Sequence, residues 1–139
     1  MPAIDELTQA EIVALHQFFQ DYFTGAIEPD AIARFETSMD DTFTIIAADG
    51  RVTDYATITN IIRNAYNRQR NFRIWIENVI VRQHVGNIIV ATYEEWQQVE
   101  ATITSRVSTV MFHYQPQAAT HQQLTWLHVH ESGLKTVAS

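Results

Sequence analysis

The sequence predicts an α+β fold in which three N-terminal helices pack in a long, curved antiparallel sheet. Three observations carry that prediction. Apolar side chains recur at helical spacing in three separate segments before residue 67. From Phe72 onward the pattern changes to long strand-like runs joined by short turns. Those runs carry apolar residues on both faces, so one face is expected on the helices and the other against a partner.

The first helix is expected from the capping-box pattern Thr8-Gln-Ala-Glu11, in which a hydroxyl and a carboxylate satisfy the first-turn amides. Ile12, Leu15, Phe19, Tyr22 and Phe23 form its apolar stripe, and Gly25 ends it; His16 reads as a residue on the flank. Pro29 opens a second, short helix with Ile32 and Phe35 as its buried side. Thr42 to Ala47 is a β-rich run followed by the tight-turn pair Asp49-Gly50. Asp54 caps a third helix whose stripe is Ile58, Ile61, Ile62, Ala65 and Tyr66. Strands follow at Phe72–Val85, Asn87–Val99, Thr102–Tyr114 and Gln122–Ser132, with Gly86 and the PQAAT segment as turns, an antiparallel meander. No repeat, low-complexity tract or linker interrupts the chain, and its 139 residues fit one domain with a full core.

Composition narrows the function classes. The net charge is −7, from 16 acidic and 9 basic side chains, and Lys135 is the only lysine. Displacing counterions from nucleic acid needs a basic stripe, so no nucleic-acid partner is expected. The cluster Arg63, Arg68, Arg70 and Arg73 falls at a helix end, where cations suit the dipole. The chain has no cysteine, which excludes disulfides and thiolate chemistry. The opening MPAIDELTQ has no basic n-region or apolar h-region and no run reaches membrane-spanning length, so a cytoplasmic protein without a membrane partner is expected. An apolar outer sheet face of several hundred Å² is unusual for a monomer, so the chain is expected to form a homodimer or larger through the sheet.

The strand Asn87 to Gln98, NIIVATYEEWQQ, carries the most suggestive chemistry. Read with period two, Ile88, Val90, Thr92, Glu94 and Trp96 share one face and Ile89, Ala91, Tyr93, Glu95 and Gln97 the other. Both faces run from apolar to polar. A carboxylate beside a tryptophan in a covered strand makes Glu94 the candidate acid/base, since burial raises a carboxyl pKa as that role requires. The alternative reading leaves Glu94 in water at the sheet rim. His128-x-His130 sets two imidazoles on one strand face, roughly 7 Å apart. Strand pairing offers no third ligand, so no metal site and no cofactor are expected. Leu127 and Val129 are expected on the helices, with the histidines and Trp126 on the interface side; a single bulge would reverse this. The His130-Glu131-Ser132 run is not a hydrolytic triad, because Glu131 points to the opposite face.

The element order, with SMDDTFTIIAADGRV, IIVATYEEW, SRVSTVMF and the closing TWLHVHESG, resembles the nuclear transport factor 2-like superfamily. Within it the chain is most similar to SnoaL-like proteins and the association domain of calcium/calmodulin-dependent protein kinase. The resemblance implies a cone-shaped α+β barrel holding a small-molecule pocket. It places Glu94 and Thr109 at pocket-facing positions, where the association domain carries arginines. With them Thr92, Trp96, Tyr66 and Trp75 complete the candidate ligand-binding set, although Tyr66 and Trp75 also suit the core. The steroid-isomerase branch implies a base near Ile46 and an acidic donor near Val110, with Tyr22 as the tyrosine. Base and acidic donor are absent, so that reaction is not expected. Because the superfamily includes enzymes and assembly domains alike, the fold does not choose between them. The expected function is a domain that binds a small, mostly apolar ligand and pairs with itself. The alternative is a small lyase, isomerase or cyclase acting on an apolar carbonyl compound with Glu94 as acid/base.

Overall fold

The structure is a computed structural model that describes residues 3–119 and 122–138. Helix α1 spans Ile4–Thr24, starting a turn earlier than the capping-box pattern suggests. Ile4 and Leu7 prolong the apolar stripe, and burying them outweighs the local cap. Thr8 is therefore a fully buried mid-helix residue, and Glu11 receives hydrogen bonds from Arg34 and Trp126 instead. The helix stops at Gly25, whose φ of 78° suits glycine. A Cβ there would lie 2.3 Å from Asn67 Oδ1, so the missing side chain also lets the segment after the third helix dock on the end of α1.

Pro29–Ala31 forms a 3₁₀ turn leading into α2 (Ile32–Ser38), and Ile32 and Phe35 are buried as expected. Strand β1 (Met39–Ile46) turns at Asp49-Gly50 into a short strand, β2 (Val52–Asp54), which the sequence reading missed because only three residues pair. Asp54 accepts a 2.9 Å hydrogen bond from the Thr57 amide and caps α3 (Tyr55–Asn64). Strands β3 (Phe72–Val85), β4 (Ile88–Val99), β5 (Thr102–Tyr114) and β6 (Leu124–Ala138) complete the fold. The last strand runs beyond the expected Ser132, passing Gly133 at φ 69°. Of the expected PQAAT turn, Thr120 lies outside the described residues.

The sheet order is β2-β1-β6-β5-β4-β3, curved and unclosed. It is mixed rather than wholly antiparallel. After α3 the chain enters at the far edge, meanders back through four strands, and brings β6 alongside β1 in the same direction. Irregular pairing within β3 and β5–β6 bends the strands around the helices. Ile12, Tyr22, Phe35, Ile89, Val110, Phe112 and Trp126 form the centre of the core, each at most 2% exposed.

A bulge settles the orientation of β6. Met111 pairs with His128 but Phe112 pairs with Trp126, leaving Leu127 as the extra residue. Trp126 and Val129 are both buried on the inner face in consequence. Trp126 therefore leaves the interface side where the sequence reading placed it. The histidines stay outside: the His128 ring lies 2.8 Å from Thr44 Oγ1, and His130 is exposed.

Candidate functional site

Between the helices and the inner sheet face lies a cavity of about 370 Å³. Phe19, Phe23 and Phe35 wall it from the helices, and Phe43, Phe72, Ile74 and Trp126 from the sheet. The half-exposed Ile61 and the exposed Arg51 also line it, so the cavity opens to solvent beside α3 and β2. Its polar side is a cluster of His16, Glu95, Arg106 and Glu131, with Tyr93 and Gln97 beside them.

Four elements assemble this cluster. His16 stands on the stripe of α1, one turn after Ile12, and its Nδ1–H donates to the Ile12 carbonyl at 2.7 Å. That turns Nε2 toward Glu95 Oε1, 3.0 Å away. A carbonyl oxygen only accepts, so Nδ1 must carry a hydrogen. The His16–Glu95 contact then holds one further proton, making either imidazolium and carboxylate or imidazole and carboxylic acid. Gln97 Nε2 donates to Glu95 Oε2 at 2.6 Å. Arg106, directly across from Glu95 in the β4–β5 ladder, brings its Nε within 3.6 Å of the same oxygen. Arg106 Nη1 donates to Glu131 Oε1 at 3.1 Å.

The two carboxyls are pushed in opposite directions. Burial raises Glu95, but the hydrogen bond and charge of His16, with Arg106 and Gln97, together hold it below the usual range. Burial and then the charge of Glu95 raise Glu131, against the pull of Arg106. Burial, followed by the two glutamate charges, holds Tyr93 well above the ordinary phenol value. Two neighbouring carboxyls are thus held by their surroundings to different proton affinities.

The expected site residues fall elsewhere. Glu94, Thr92 and Trp96 project from the outer face of β4, because Ile89, Ala91, Tyr93 and Glu95 take the inner one. Glu94 accepts from Asn78 Nδ2 at 2.7 Å and from Trp96 Nε1 at 3.1 Å, and these bonds lower its pKa rather than raise it. Thr92 accepts from Arg82, and Thr109 is exposed opposite it. Trp75 and Trp96 stack at 6.1 Å on the same outer surface. Tyr66 packs on Tyr22 and donates to the Ile27 carbonyl, which makes it a core residue. The structure thus joins Trp75, Thr92, Glu94, Trp96 and Thr109 on the outer face and puts none of the six against the cavity.

The residues that do line the polar side were within reach of the sequence. His16 lies one turn from both Ile12 and Phe19 and so shares their stripe, and the Glu94-Glu95 doublet sends one carboxylate to each face. Among the described residues, no group of three or more His, Asp and Glu is arranged to hold a metal ion.

The model of the family described as sucrose-6-phosphate phosphohydrolase C-terminal matches residues 8–135. The chain belongs to that family. Its structural neighbours include nuclear transport factor 2-like proteins and CaMKII association domains. An NTF-2 like protein of unknown function from Pseudomonas aeruginosa is 22% identical with a TM-score of 0.82, over 91% of this chain and 97% of its own. The CaMKII hub from S. rosetta is 16% identical with a TM-score of 0.73, over 96% and 99%. An NTF2-like protein from Cytophaga hutchinsonii is 11% identical with a TM-score of 0.68, again over 96% and 99%. Likeness at this identity shows the cone fold alone. No curated protein matches the chain.

Proposed function

We propose that this domain holds a small, mostly apolar molecule in its cone cavity and pairs with a second copy through the outer sheet face. The observation that carries the first half is an aromatic-walled hollow of about 370 Å³ with one partly buried ionic cluster on its wall. Sites of this size with few polar groups are the usual form of small-molecule pockets. The test is a filled cavity. Ala47→Trp, at a lining position on the polypeptide between β1 and β2, should abolish binding of propylbenzene measured by titration calorimetry while leaving the melting temperature within a few degrees. Undiminished binding by that variant would remove the reading.

For the second half, Ile80, Val107 and Met111 are apolar side chains 44%, 47% and 39% exposed on the outer face. The association domain of C. elegans CaMKII has a similar fold, which fits self-association here. Val107→Glu with Met111→Lys should convert a dimer into a monomer in light scattering at micromolar concentration. A wild-type chain that is already monomeric there contradicts the pairing.

A second reading is proton transfer on an apolar carbonyl compound, as a lyase, isomerase or cyclase. The raised Glu131 carboxyl beside the ionised Glu95 supports it, and assigns to Glu131 the role that sequence reading gave Glu94. Under this reading Glu131→Gln eliminates turnover; under the first it only alters affinity.

A further inference from the structure

We infer that the polar side of the cavity selects an uncharged head group that offers one hydrogen-bond acceptor beside one donor: a carboxamide, or a carboxylic acid in its undissociated form. The inference rests on the pocket reading above and adds the chemistry of what is held.

Charge balance is the first argument. The His16–Glu95 pair sums to zero wherever its shared proton sits, because Nδ1 is committed to the Ile12 carbonyl. The ionised Arg106–Glu131 pair also sums to zero. Glu131 faces Arg106 on β5, Glu95 and Tyr93 on β4, and His16 on α1; Arg51 lies at the exposed side of the cavity. A ligand carrying a full charge would leave that charge without a counterion against a largely apolar wall, which is unfavourable.

The remaining valences are the second argument. Glu95 is fully engaged, with His16 on one oxygen and Gln97 and Arg106 on the other. Arg106 and Glu131 touch through Nη1 and Oε1. Neither Arg106 Nη2 nor Glu131 Oε2 makes a hydrogen bond to any described residue. A donor and an acceptor from one ion pair thus remain for a ligand on the cavity wall. The O=C–N–H edge of an amide, or the O=C–O–H edge of an acid, presents the complementary pair.

A set of probes with one tail tests this by calorimetry at pH 6 and pH 8: propylbenzene, 3-phenylpropanamide, 3-phenylpropanoic acid and 3-phenylpropylamine. The amide should bind at least tenfold tighter than propylbenzene or the amine, with equal affinity at both pH values. The acid should weaken about tenfold per pH unit and take up one proton on binding. In Glu131→Gln the amide should still bind, and the acid should lose its proton uptake, since the Gln amide donates to a carboxylate directly. Thermal melts of the variant confirm that it is folded. An amine that matches the amide overturns the inference, as does an acid that binds wild type without proton uptake. If propylbenzene binds as tightly as the amide, the pocket reading stands and this inference falls. If no probe binds, both fall.

Discussion

Glu95→Ala is expected to lower the unfolding free energy by about 3–5 kcal/mol, the usual effect of removing one partner from a buried ion pair. Glu95 is 6% and His16 3% exposed, so the substitution leaves His16 without its buried partner. The pH dependence gives the test its sign. Because the folded-state pKa of Glu95 lies below its ordinary value, its contribution is present above the ordinary carboxylate range and is lost as pH falls through the depressed value. Urea unfolding should therefore show the gap between wild type and Glu95→Ala closing on acidification. Glu131 has the opposite sign. Its raised pKa makes its contribution full below the ordinary range and lost as pH rises through the raised value. A Glu95→Ala protein within 1 kcal/mol of wild type at pH 7 would show that the pair is not buried as described.

Trp126→Ala is expected to cost about 3–5 kcal/mol, as large aromatic truncations in cores do. The indole is 1% exposed and meets Phe112 edge-on at 4.7 Å. Its N–H donates to Glu11 Oε2 at 2.8 Å, and Glu11 is also held by Arg34, so one ring ties α1, α2 and β6 together. Trp126→Phe keeps much of the ring packing and gives up the bond to a carboxylate, for which about 1.5–3 kcal/mol is expected. Equal melting temperatures for Trp126→Ala and wild type would contradict the placement of this side chain. Because Trp126 also lines the cavity, the Ala variant should admit a bulkier tail than wild type does.

The fold was legible because its signals are redundant. Helical stripes, the Gly25 stop, the Asp54 cap and the long strands each point to the same plan, and each is found, except that α3 ends at Asn64, before Ala65 and Tyr66, and leaves Ile61 half-exposed. The face of β4 was not legible in the same way. Ile88 to Gln97 runs apolar to polar on both sides, so the sequence alone does not say whether Glu94 or Glu95 goes inward. What decides is distant in the chain: His16, 79 residues away, meets Glu95, while Trp75 stacks on Trp96 across the outer face. The direction of Trp126 escaped for a related reason. One unpaired residue in a ladder reverses the faces on one side of it relative to the other. Trp126 thus turns inward while Val129 and the histidines keep their expected sides, and Leu127 carries no sign of it. The parallel pairing of β1 with β6 depends on the path of the whole chain rather than on any local pattern.

That same pairing bears on how the molecule comes to be. Thr44 and His128, adjacent in the sheet, are 84 residues apart in sequence. Closing so long a loop is entropically slow, whereas the hairpins between neighbouring strands can form locally and early. The carboxyl-terminal strand brings Glu131 and Trp126 to the hollow. The hollow is therefore left without its ionic wall until β6 has paired with both β1 and β5.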